Sequence, residues 1–139
     1  GVPAVNNTID YVTIASTGNA VDFGDATIAN EHRAGISNSI RGVWAGLGTP
    51  ASGNTIDYVT IASLGDAVDF GNLTQVKRAL SATSNSTRGI FFGGNDNPTN
   101  YNIIDYITIA STGNAIDFGD LVTAKRHLSG LSNGHGGLG

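Results

Sequence analysis

Cysteine is absent from the 139 residues, which excludes disulfides, thiolate metal sites and cysteine nucleophiles and leaves the compartment open. Charge is scarce as well: 13% of residues are charged, the net charge is −4, and the seven Lys and Arg are dispersed. A nucleic-acid binder needs a basic stripe to neutralise phosphates, so no such partner is expected. No apolar run approaches the ~20 residues of a membrane-crossing helix, and no signal-peptide pattern opens the chain, so no membrane insertion is expected. The first residue is Gly1 rather than methionine, as in a chain that is processed or cut from something longer. Against these absences stand twenty glycines, well above the usual ~7% share. They alternate with β-branched and aromatic residues and show no Gly-X-Y period, which points to many tight turns rather than to disorder or collagen. An apolar content of 40% and this length suffice for one domain with a real core.

Self-similarity decides the reading. Ile9-Asp10-Tyr11-Val12-Thr13-Ile14-Ala15-Ser16 returns as Ile56-Asp57-Tyr58-Val59-Thr60-Ile61-Ala62-Ser63, and again as Ile104-Asp105-Tyr106-Ile107-Thr108-Ile109-Ala110-Ser111. The tyrosines lie 47 and then 48 positions apart. A second block, Ala20-Val21-Asp22-Phe23-Gly24, recurs at Ala67 to Gly71 and at Ala115 to Gly119. A third, Ser37 to Trp44, recurs at Ser84 to Phe91. The units are 1–47, 48–94 and 95–139, forming a single repeat domain.

Within a unit the pattern is β. The Ile-Asp-Tyr-Val-Thr-Ile-Ala run is β-branched and aromatic, too short for a typical helix, and apolar on both faces, as in a strand between neighbouring sheets. Ser16-Thr17-Gly18-Asn19 reads as a tight turn, with Gly65 and Gly113 at the place of Gly18. A hairpin partner follows at residues 20–23, a third strand around 34–37 and a fourth at 42–45. Four short strands in about 47 residues match the ~40–50-residue blade of a β-propeller. Tyr11, Tyr58, Tyr106, Phe23, Phe70 and Phe118 are the expected repeat core.

The order of features resembles the kelch repeat. Ile90-Phe91-Phe92-Gly93-Gly94 looks like its double-glycine strand, Tyr106 like the following tyrosine and Phe118 like the later aromatic. Val43-Trp44-Ala45-Gly46 is the degenerate counterpart in the preceding unit. The phrasing IDYVTIASTGNAVDFGD with SNSTRGIFFGG is similar to repeats of tailed-phage virion and tail-fibre proteins, notably of marine cyanobacterial viruses. The resemblance implies an all-β, kelch-like propeller and a virion or extracellular location. Alignment of the units places the outer strands of a blade at the start and inner strands, in part, at the end, so one blade is split across the termini. Propellers have ~4–8 blades, and three leave sheet faces and edges exposed, so a homodimer closing six blades is expected. A fragment of a longer repeat array is the alternative.

No catalytic residue, metal ligand or cofactor is assigned. The Asp-Phe-Gly triplets at Asp22, Asp69 and Asp117 share residues with the kinase magnesium motif, but no other kinase element is present, and they are read as structural. Asp10, Asp57 and Asp105 are expected to bond backbone amides or Arg41 and Arg88 of neighbouring units; no dense acidic loop suggests Ca²⁺. His32, His127 and His135 show no metal spacing and are read as surface residues unrelated to the period. A propeller-type glycosidase or lyase needs acids converging on the axis, and none can be named. The loop after the double glycine differs between units, and loops on a rigid scaffold carry recognition. Asn95, Asp96, Asn97, Tyr101 and Asn102, with Trp44, form the candidate set for a glycan or host-surface ligand. The expectation is a non-enzymatic structural or adhesion module. Its alternative is a purely architectural, self-assembling repeat protein.

Overall fold

A computed structural model describes residues 4–48 and 51–134, and among them are twelve β-strands and no helix. The chain opens with an antiparallel hairpin of β1 (Thr8–Tyr11) and β2 (Val21–Asp25). A first four-stranded sheet follows as a meander of β3 (Ala34–Ser37), β4 (Arg41–Leu47), β5 (Gly53–Thr60) and β6 (Val68–Lys77). The next strands are β7 (Ser81–Ser84), β8 (Arg88–Phe92), the two-residue pair β9 (Asn95–Asp96) and β10 (Thr99–Asn100), then β11 (Ile103–Thr108) and β12 (Ile116–Asp120). The second sheet runs β12-β11-β8-β7, the same meander as the first, with β9 and β10 inserted as a hairpin of their own. Residues 121–134 form no strand. Each large sheet therefore joins the third and fourth strands of one sequence unit to the first two of the next. Antiparallel pairing between chain neighbours needs only short turns, which the glycine-rich spacers supply.

The Asp-Phe-Gly triplet has a local cause. In each outer hairpin the register slips at the same place: between Ile9 and Asp10, Ile56 and Asp57, and Ile104 and Asp105. The opposing strand fits an extra residue there, Phe23 in the first copy, since Ile9 faces Gly24 while Asp10 faces Asp22. A bulge of this kind re-aims a side chain, and the aromatic ring lands edge-on against the tyrosine of the facing strand. Tyr11–Phe23, Tyr58–Phe70 and Tyr106–Phe118 all stack in this way with centroids 5.9, 5.8 and 6.0 Å apart. Arg41 and Arg88 lie over the tyrosine rings of their own sheets, 4.4 Å from Tyr58 and 4.6 Å from Tyr106, where the guanidinium meets the negative ring face. They are thus not the partners of the repeated aspartates.

The sheets meet through a joint that occurs twice. Along the outer edge of β2, Gly65 N donates to Phe23 O (2.9 Å), Ala67 N to Asp25 O (2.8 Å), and Asp25 N to Asp66 Oδ1 (3.0 Å). Along β6 the same three bonds run from Gly113 N to Phe70 O (2.8 Å), Ala115 N to Asn72 O (2.8 Å) and Asn72 N to Asn114 Oδ1 (3.1 Å). An outer strand would otherwise present unpaired backbone groups, and the turn of the next unit covers them. Gly24 and Gly71 make this approach possible: a Cβ on either would overlap the carbonyl oxygen of Gly65 or Gly113.

The core lies between the two sheets and includes Val43, Ile56, Phe70, Leu73, Phe91 and Ile107. Of the expected core aromatics, Phe23 and Phe70 are buried and Tyr58 and Tyr106 half-buried. Tyr11 and Phe118 are exposed, a correction to the sequence expectation, because among the described residues no turn covers β12 and no inner strand backs the first hairpin. The histidines need a second correction. His32 and His127 hold one position of the repeat, with Ala79 between them, and all three have positive φ (62°, 55° and 53°). Their segments converge: the His32 and His127 rings are 6.5 Å apart, and His127 N donates to Ala79 O at 2.9 Å. His135 and residues 136–139 lie outside the described residues, as do residues 1–3 and 49–50.

Candidate functional site

The variable loop folds as a tight hairpin in which Asp96 faces Thr99 and Asn95 faces Asn100, with a cis Asn97-Pro98 peptide at its tip. Asp96 and Asn97 are exposed there. Asn95 is not: it is 1% exposed, and its backbone exchanges two 2.9 Å bonds with Arg78, so it anchors the loop rather than facing solvent. Tyr101 is half-buried; its hydroxyl accepts from Gln75 Nε2 at 3.2 Å and its backbone bonds Gly94 and Lys125. The carbonyl of Asn102 accepts from Leu121 N at 2.7 Å. Sequence variability at this loop thus splits into an exposed tip, Asp96-Asn97-Pro98, and a foot that ties the tip to the scaffold.

Trp44 stands apart from this loop, on β4, in a cleft of about 190 Å³ between the first hairpin and the first sheet. Asn6, Asn7, Thr8, Asn30 and Arg33 also line it. The volume is below the ~300–1,000 Å³ of pockets for drug-sized ligands and suits one ring-sized group. Two donors in this region, Trp44 Nε1 and Arg33 Nε, are buried at the atom level and meet no acceptor among the described residues. Sequence reasoning named Trp44 and missed Arg33, Asn6, Asn7 and Asn30. Arg33 gave no signal because its counterpart in the next unit is Leu80.

The Arg33 guanidinium is also the partner of a buried carboxylate, with Nη1 3.5 Å from Asp57 Oδ2. Thr27 Oγ1 donates to both oxygens of Asp57 at 2.7 Å. Burial pushes the Asp57 carboxyl above its ordinary value, and the Thr27 bond and Arg33 charge pull against that rise. Burial likewise lowers Arg33. One unit later Thr74 Oγ1 donates to Asp105 Oδ1, and the wholly buried Lys77 Nζ lies 3.3 Å from Asp105 Oδ2. Burial lowers the Lys77 ammonium, with Asp105 opposing the shift. These carboxylates hold hydroxyl and cation from the preceding unit against the next one, a structural duty. Asp10, their counterpart in the first hairpin, is exposed.

Among the described residues no group of three or more His, Asp or Glu side chains is placed to hold a metal ion. No protein-family model matches the chain, and no curated protein matches it significantly.

Proposed function

We propose that the chain is a non-enzymatic structural and adhesion module, a run of kelch-like β-propeller blades, and that it belongs on a virion, in a tail fibre, or on another extracellular surface. What supports the propeller reading is convergence: residues 32, 79 and 127, one from each unit, meet within 6.5 Å ring to ring and 2.9 Å backbone to backbone. Repeated four-stranded meanders whose equivalent connections share one meeting point stand around an axis, as blades do. Such a scaffold presents the Trp44 cleft and the Asp96-Asn97 tip to a glycan. An indole stacks on the apolar face of a sugar ring, and flanking Asn and Arg groups bond its hydroxyls.

A glycan array with the purified chain tests the recognition part. The expected result is binding to one glycan class that falls about tenfold, roughly 1.4 kcal/mol, in Trp44→Ala with the β signal in circular dichroism unchanged. Binding that survives both Trp44→Ala and Asn97→Ala would remove both candidate surfaces. The second reading, a purely architectural repeat protein, is favoured by the uncovered outer edge of β12; an array without hits would leave that reading in place.

A further inference from the structure

Resting on the blade reading but not on glycan recognition, we propose that the outer edge of β12 in one copy of the chain receives the turn Thr17-Gly18-Asn19-Ala20 of a second copy. The units carry three strand edges and three turns, and the two joints inside the chain use two of each. Among the described residues one of each is left over. The spare edge, Phe118-Gly119-Asp120, has the residues of Phe23-Gly24-Asp25 in the first joint. The spare turn, Thr17-Gly18-Asn19-Ala20, has those of Thr112-Gly113-Asn114-Ala115 in the second. The edge half is open within one copy, since a Cβ at Gly119 meets nothing within 4 Å, whereas one at Gly24 or Gly71 would overlap the turn that occupies the edge.

Burial follows occupancy. Phe70, at an occupied edge, is 3% exposed and Phe118, at the spare edge, is 53% exposed. At the equivalent isoleucines, Ile109 is 0% and Ile61 46% exposed beside occupied turns, whereas Ile14 beside the spare turn is 97% exposed. The bonds of the new joint follow by position: Gly18 N to Phe118 O, Ala20 N to Asp120 O, and Asp120 N to Asn19 Oδ1. Arg88 would reach the Ile14 carbonyl as Arg41 Nη1 reaches Ile109 O at 3.0 Å. Charge agrees, because exposed Lys125 holds the repeat position of Lys77 and exposed Asp10 that of Asp105. The one departure is Val122, fully exposed, where Thr27 and Thr74 supply the hydroxyl to the aspartate. The contact joins different surfaces on the two copies, so it closes a ring when the rotation permits and extends a filament otherwise. Two copies joined twice make a closed dimer.

Sedimentation of the whole chain, alone and in mixtures, tests the joint. The wild-type chain is expected to reach an integer multiple of 14.2 kDa at micromolar concentration. Ala20→Arg spoils the turn half and Val122→Asp, facing Asp10, spoils the edge half; both positions are exposed, so each variant folds and runs as a monomer. Mixed, the two variants retain one intact half each and form a one-to-one pair. Val122→Thr tightens wild-type assembly. A wild-type monomer at millimolar concentration, or variants that assemble like wild type, would overturn the joint and leave the blade reading standing. Gly71→Ala separates the two: it blocks a joint inside the chain and lowers the unfolding midpoint of the monomer, and an unchanged midpoint would sink the blade reading itself.

Discussion

The first hairpin and the outer pair of the second sheet carry nearly one sequence in opposite surroundings. Residues 9–25 and 104–120 differ only at Val12/Ile107 and Val21/Ile116. Both fold to the same register, with the same bulge and the same edge-on Tyr–Phe pair. Yet Asp10 is exposed where Asp105 is buried, and the exposure of Ile14 and Ile109 spans almost the whole range. Local structure here follows from the segment's own pattern, whereas burial follows from whether the neighbouring unit is present.

That contrast breaks most visibly at the aspartates. In the monomer, Asp105→Ala leaves the buried Lys77 without its carboxylate and should cost about 3–5 kcal/mol in urea unfolding; Asp10→Ala should leave the curve unchanged. Next comes the isoleucine pair, where Ile109→Ala should cost about 2–5 kcal/mol and Ile14→Ala stay within about 0.5 kcal/mol. Equal costs for either pair would mean that the two hairpins do not differ as described. A smaller difference, about 0.5–1.5 kcal/mol, is expected between Asn114→Ala, which loses the bond from Asn72 N, and Asn19→Ala, which loses none within one copy.

The smallest effect is a slope with pH. Because burial raises the Asp57 carboxyl above its ordinary 3.8, the folded chain keeps that proton longer than the unfolded chain. The stability it lends is full below pH 3.8 and is lost as pH rises through the folded-state value. Asp57→Asn cannot titrate and should flatten that part of the stability profile; a profile parallel to wild type would place the linkage on another group.

The four strands of each of the first two units were legible because a period of 47 to 48 residues displays the same β-branched runs and turns three times. The third unit keeps only the first two of them, β11 and β12, and residues 121–134 form no strand. The carboxylate partners were not. Arg33 and Lys77 reach equivalent aspartates from positions one unit apart occupied otherwise by Leu80 and Asn30, so comparison of the units cancels the signal. Asn95 looked like a loop residue by type, and only the Arg78 bridge reveals it as the foot of the loop. The exposure of Phe118 was hidden for a different reason: its sequence matches Phe23, and the difference lies entirely in what stands next to it.

Amide hydrogen exchange at four backbone positions tests most directly whether the spare halves complete one more joint. Gly113 and Ala115 donate to Phe70 and Asn72 inside the chain and should be protected at every concentration. Gly18 and Ala20 should exchange freely in dilute solution and become protected as the mass rises. Free exchange at Gly18 and Ala20 in the assembled protein would contradict the joint.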